Sequence, residues 1–280
     1  MGNRRIGRRR WKSISQQNYS STDEWAFVRP PMVPGFSRNV RVVTLDFASN
    51  NGGDDGVLDI GADNVATSVW IYDDHNSATK ATIATHADFN DGCVVLTSGG
   101  AALDPIALFT KAAPFTCTTD KPWWVETSIN LADYDKVDMF FGMFTSGAWT
   151  DDEKIHDLAA SADHDTAGFI KAVHTTGAIT VRQNKDGDGS ITRALDTAIT
   201  LEADTDVLSM GIYWDGKGTI RYYGKKASTG SEVGALPLVL SVSDYIPSDD
   251  CQLILQMAEG AGAAAAEVMN VNYIRGAWTI

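Results

Sequence analysis

The chain has 280 residues, 44% of them hydrophobic and 21% charged, the balance of a folded globular protein with material for a sizeable core. No run approaches the roughly 18 consecutive apolar residues of a membrane-spanning helix, and the basic first residues lead into no apolar stretch, so they do not read as a secretory signal. Charge is unevenly placed: residues 1–41 hold nine Lys/Arg against Asp23 and Glu24, a net +7, while the other 239 residues carry 14 basic and 34 acidic groups, a net −20. A body this acidic repels nucleic acid and anionic membranes; only the leader has the opposite tendency.

Residues 1–40 have no amphipathic period. Arg29-Pro30-Pro31-Met32-Val33-Pro34-Gly35 forces extended or turn geometry, because proline fixes its own φ and restricts the residue before it. Such a segment buries too little apolar surface to offset its ordering entropy. It is expected to be an extended arm that takes shape only against a partner, or against another copy of the chain. Lying along its own domain suits residues 20–40 better than 1–12.

From about residue 42 short alternating strands follow, broken by turn residues. Lys121–Leu131 sets Trp123, Val125, Thr127, Ile129 and Leu131 on one face and Trp124, Glu126, Ser128 and Asn130 on the other. Val137–Phe144 is apolar on both faces, as in a covered central strand. Gly168–His174 and Ala178–Gln183 come next. Asp206–Trp214 turns Leu208, Met210, Ile212 and Trp214 inward, and Asp215-Gly216-Lys217-Gly218 predicts a tight hairpin into Thr219–Lys225, with Ile220 and Tyr222 inward. Residues 150–163 could form one short helix. Gln252–Ala258 and Val268–Ile280 close the chain, with Met269, Val271 and Tyr273 alternating against Asn270 and Asn272. About a dozen strands without a strong helix predict an all-β, two-sheet antiparallel sandwich over residues 41–280, preceded by the 1–40 arm.

Lys121-Pro122-Trp123-Trp124-Val125-Glu126-Thr127, Phe140-Phe141-Gly142-Met143, Ala167-Gly168-Phe169, the run from Ile212 to Tyr223 and the closing Val271-Asn272-Tyr273-Ile274-Arg275 together resemble the concanavalin A-like (laminin G-like) jelly-roll domains found as structural proteins in tailed bacteriophage particles. The resemblance covers roughly residues 115–280. It implies a jelly-roll sandwich and a place in a virion. Its motifs mark strands and a hairpin rather than an active site.

Asn184-Lys185-Asp186-Gly187-Asp188-Gly189-Ser190-Ile191 matches the front half of a calcium loop, but position 12 is Leu195 instead of the bidentate Glu, and strands flank it. A hairpin turn is the preferred reading. No strand has the spaced carboxylates of a sandwich glycosidase: Glu126 is a lone outward acid, and Asp54-Asp55, Asp151-Asp152-Glu153 and Asp249-Asp250 read as solvated loops. Neither a serine-nucleophile elbow nor a phosphate or dinucleotide fingerprint is present. His156-Asp157 and Asp163-His164-Asp165 lack the spacing that places two rings on one face. Cys93, Cys117 and Cys251, an odd number without CxxC spacing, read as reduced, mostly buried thiols. Of the eight tryptophans, Trp70, Trp123 and Trp214 fall at core positions, which leaves Trp124 and Trp149 as candidate exposed platforms for sugar.

These readings predict a non-enzymatic virion protein without metal or cofactor, a capsid decoration (cement) protein assembled in the host cytoplasm. Its partner-binding residues are Arg4, Arg5, Arg8, Arg9, Arg10, Trp11 and Lys12, docking on the major capsid protein or another virion protein through pairing with carboxylates. A homo-oligomer, a trimer by the usual symmetry of capsid sites, is expected. Two alternatives stay open: a glycan- or receptor-binding tail or fibre module, and a single-jelly-roll coat protein whose arm neutralises nucleic acid.

Overall fold

Strands that alternate apolar and polar residues need a second sheet to cover their apolar side, and the chain supplies two. The computed structural model describes residues 40–45, 70–74, 82–85, 94–98, 105–110, 112–145, 164–172, 176–185, 193–227, 238–259 and 266–279. Among them lie fifteen strands: β1 (Val40–Leu45), β2 (Trp70–Asp74), β3 (Thr82–Thr85), β4 (Val94–Thr97), β5 (Pro105–Thr110), β6 (Trp123–Leu131), β7 (Val137–Thr145), β8 (Thr166–Lys171), β9 (Ala178–Asn184), β10 (Arg193–Thr200), β11 (Val207–Trp214), β12 (Ile220–Ala227), β13 (Leu238–Val242), β14 (Cys251–Glu259) and β15 (Val268–Thr279). Sheet A runs β13-β12-β11-β6-β15-β4-β3, with β1 also paired to β15; sheet B runs β10-β9-β8-β7-β14-β5-β2. Neighbours pair antiparallel throughout, which makes the fold the expected all-β jelly-roll sandwich. The possible helix at 150–163 lies outside the described residues.

The inward residues of both sheets meet in one apolar layer. Val125, Ile129, Met210, Ile212, Ile220 and Tyr222 of sheet A pack on Phe141, Met143, Phe169, Val181, Leu253 and Leu255 of sheet B. Near one end Phe115 stands edge-on to Trp123, ring centroids 5.9 Å apart, and to Trp278 at 5.4 Å. The core indoles also satisfy their N–H groups, as buried indoles must: Trp123 Nε1 donates to the Thr116 carbonyl and Trp214 Nε1 to that of Thr118, both at 3.1 Å. A second apolar cluster, with Phe140, Phe144 and Ile254, lies on the outer side of sheet B.

The inward faces of β11 and β12 match expectation, and Asp215 builds their turn. Its Oδ1 accepts from Lys217 N at 2.7 Å and Thr219 N at 3.1 Å, while Gly216 and Gly218 take φ of 70° and 106°, values that L side chains avoid. One expectation fails. In β15 the register against β6 slips between Val271 and Tyr273, so Asn272 is an extra, exposed residue and Ile274, not Tyr273, enters the core. A β-bulge reverses the alternation beyond it.

Gly142 and Gly168 face each other across β7 and β8. A Cβ on Gly168 would sit 2.6 Å from the Phe141 carbonyl oxygen and 2.7 Å from the Phe140 ring. Gly168→Ala is therefore expected to cost about 1–3 kcal/mol through overpacking, read as a lowered urea midpoint; an unchanged midpoint would show that Phe140 moves aside freely.

Candidate functional site

The predicted partner-binding residues Arg4, Arg5, Arg8, Arg9, Arg10, Trp11 and Lys12 lie outside the described residues, as do Trp149, His156-Asp157, Asp54-Asp55 and Asp151-Asp152-Glu153. The sandwich itself shows where the remaining candidates fall, and most serve the architecture.

Glu126 and Trp124 depart most from expectation. Both stand on the outer side of sheet A, where Trp124 was a candidate exposed platform and Glu126 a lone outward acid, yet neither has any exposed surface. An aromatic cluster stands around them. Across the sheet, Trp124 is in register with Ala277 on one side and Tyr213 on the other, and Glu126 with Gly211. The small residues make room: with no side chain at Gly211, Tyr223 of β12 reaches Trp124 edge-on, centroids 5.3 Å apart, while Tyr213 lies at 6.2 Å. Trp124 Nε1 donates to Glu126 Oε2 at 3.2 Å. Arg221 stacks its guanidinium over Tyr213, 5.8 Å from the ring centre, and approaches Asp215 at 3.7 Å. Burial, with Asp215 adding, pushes the Tyr213 hydroxyl up to about 12.

The other carboxylates of interest are held by neighbouring donors. Asp165, read from the sequence as part of a polar loop, is fully buried. Its Oδ2 accepts from the backbone N–H and hydroxyl of Ser248 and from Asp249 N at 2.8 Å, pinning the approach to β14 against the start of β8. Its neighbour His164 packs its ring 5.2 Å from Phe144. Asp206 Oδ2 accepts from Glu202 N at 2.8 Å and Ala203 N at 3.2 Å. Glu259 accepts from the Ser98 hydroxyl. These acids accept hydrogen bonds from turns and strand ends and so fix local backbone.

Asn184, first in the calcium-like loop, is buried and donates its amide to the His164 carbonyl at 3.0 Å. The loop joins β9 to its antiparallel neighbour β10, so it is a hairpin connection; residues 186–192 lie outside the described residues. Among the described residues no three His, Cys, Asp or Glu side chains are grouped to hold a metal ion. Cys117 and Cys251 are free thiols, both pushed well up by burial. Cys93 lies outside the described residues.

Sequence reasoning missed Lys171. It follows the inward alternation of β8, is fully buried, and donates Nζ to the Val137 carbonyl at 2.6 Å. Burial lowers its pKa from 10.5 to about 8, against the opposing pull of Asp138 and Asp135.

No family model matches the chain, and no curated protein is similar to it in sequence. Solved structures with this fold include a protein of unknown function from Shewanella oneidensis MR-1, 10% identical, with a TM-score of 0.56 over 86% of this chain and 87% of that one. A Bacillus licheniformis beta-glucanase is 13% identical, at 0.46 over 78% and 95%. The winged bean acidic lectin is 9% identical, at 0.49 over 85% and 99%. These likenesses concern the sandwich alone.

Two variants check this account. Asp165→Ala removes an acceptor shared by three donors and is expected to cost about 2–3 kcal/mol, measured by urea denaturation. For Lys171, the unfolded chain holds more protons than the folded one between its lowered pKa near 8 and the ordinary 10.5, so this residue makes stability rise with pH across that window. Lys171→Met is expected to lose that rise; parallel pH profiles of variant and parent would contradict the burial effect.

Proposed function

We propose that the chain is a non-enzymatic structural protein of a virus particle, a decoration protein whose basic leader binds neighbouring capsid subunits while the sandwich projects as an oligomer. The observation that carries this reading is the division of charge, +7 within residues 1–41 against −20 in the remainder. A cationic leader recruits an acidic protein surface, whereas a body of the opposite sign keeps subunits soluble and opposes close packing on nucleic acid. The carboxylates described above support a structural role, since Asp165 and Asp206 accept hydrogen bonds from backbone N–H groups at turns and strand ends. The glycan-binding alternative loses Trp124, which has no exposed face to offer a sugar.

The test is co-sedimentation with capsid particles from the same source. Full-length protein in which Arg4, Arg5, Arg8, Arg9, Arg10 and Lys12 are all replaced by Gln is expected to stay folded by circular dichroism and fail to pellet with particles. A deletion for the same purpose should stop at Asn39, because β1 begins at Val40 and pairs with β15. Unchanged occupancy by the charge-neutralised protein would overturn the proposal. Closed shells of the purified chain alone would favour the coat-protein alternative.

A further inference from the structure

Among the described residues sheet B ends on β10. A terminal strand offers unpaired backbone N–H and C=O groups to any extended chain that meets it, and folded proteins blunt such edges. The end strand of sheet A, β13, is five residues long and directly follows Pro237; shortness and proline both limit pairing. β10 has eight residues, Arg193–Thr200, without lysine or proline. Its protection has to come from its shape.

That shape is irregular at one point. β10 pairs in step with β9 from Arg193 opposite Gln183 to Asp196 opposite Thr180; Ile199 is then opposite Ile179 and Thr200 opposite Ala178. Thr197 and Ala198 are therefore two extra residues, and side chains of the strand itself tie them down. Asp196 Oδ1 accepts from Ala198 N at 2.8 Å. The buried Thr197 hydroxyl accepts from Ile199 N at 3.1 Å and donates to the Ile179 carbonyl, so it is inserted between the backbones of the two strands. Ala198 takes a φ of 55°, a left-handed value disfavoured for any residue with a Cβ. Packing does not require this detour. An insertion of two leaves the alternation in phase: Leu195 and Ile199 pack on the core, while Asp196, Ala198 and Thr200 stay exposed. Ile199 reaches across to β12, where a Cβ on Gly224 would meet its Cδ1 at 2.5 Å.

We infer that the Thr197–Ala198 bulge guards this edge of sheet B against strand addition by a second copy of the chain. Two copies related by a two-fold axis would bring β10 antiparallel to its twin, each strand presenting the same edge groups to the other. A bulge bends its strand and increases the local twist, so only short stretches on either side of Ala198 could meet a straight partner. The strained alanine is held for that purpose, with Asp196 and Thr197 as its fastenings. The inference does not rest on the particle reading; it requires only that any oligomer form through surfaces other than this edge.

Sedimentation velocity on the full chain, with hydrogen exchange read at β10, tests it. Deleting Thr197 and Ala198 lets Ile199 follow Asp196 directly, opposite Ile179, with every inward residue kept. The deletion variant is expected to at least double the parent's sedimenting mass as concentration rises, and to slow exchange along β10 in the associated form. Native circular dichroism with the parent's mass at every concentration would overturn the inference, as would association that leaves β10 exchange unchanged. Ala198→Gly keeps both extra residues and is the control: it is expected to hold the parent's mass and raise the urea midpoint, because glycine takes this φ without strain. Association of that variant would also count against the guard. If the deletion variant does not fold, Asp196→Ala combined with Thr197→Val removes the fastenings at full length; concentration-dependent mass with slowed β10 exchange is then expected, and the parent's mass would overturn the inference.

Discussion

Strand β6 opens with two tryptophans that point to opposite sides of the sheet, and the fold must keep both from water. An exposed indole forfeits roughly 4–6 kcal/mol, at about 25 cal/mol per Å² over 150–250 Å², which is comparable to the whole net stability of many domains. For Trp123 the solution is the sandwich: Phe115 and Trp278 close around it and the Thr116 carbonyl takes its N–H. Trp124 cannot use the same core. It has flanking tyrosines, a carboxylate for its N–H and small residues at Gly211 and Ala277 that admit its ring.

β1 pairs with β15, next to the strand that bears Trp124. Sheet B solves the corresponding problem around Phe140, Phe144 and Ile254, with His164 among the covering side chains. Polar groups that would be costly inside are paired locally, as when the Tyr222 hydroxyl donates to Gln183 Oε1 at 3.1 Å across the two sheets.

What was legible in the sequence was what period-two alternation encodes: the inward faces of β6, β11 and β12, the doubly covered β7, and the Asp-Gly turn whose glycines need positive φ. Alternation could not reveal the extra residue at Asn272, because a bulge is a property of the pair of strands and not of either alone. It misjudged Trp124 and Glu126 for a related reason. A face that alternates away from the core is ordinarily wet, and only the register with Gly211, Ala277 and Tyr213 shows that a ring can lie down there. Lys171 and Asp165 are polar residues in polar-looking strings, and the partners that bury them, Val137 and Ser248, stand 34 and 83 residues away. The uneven placement of charge was plain from the sequence alone.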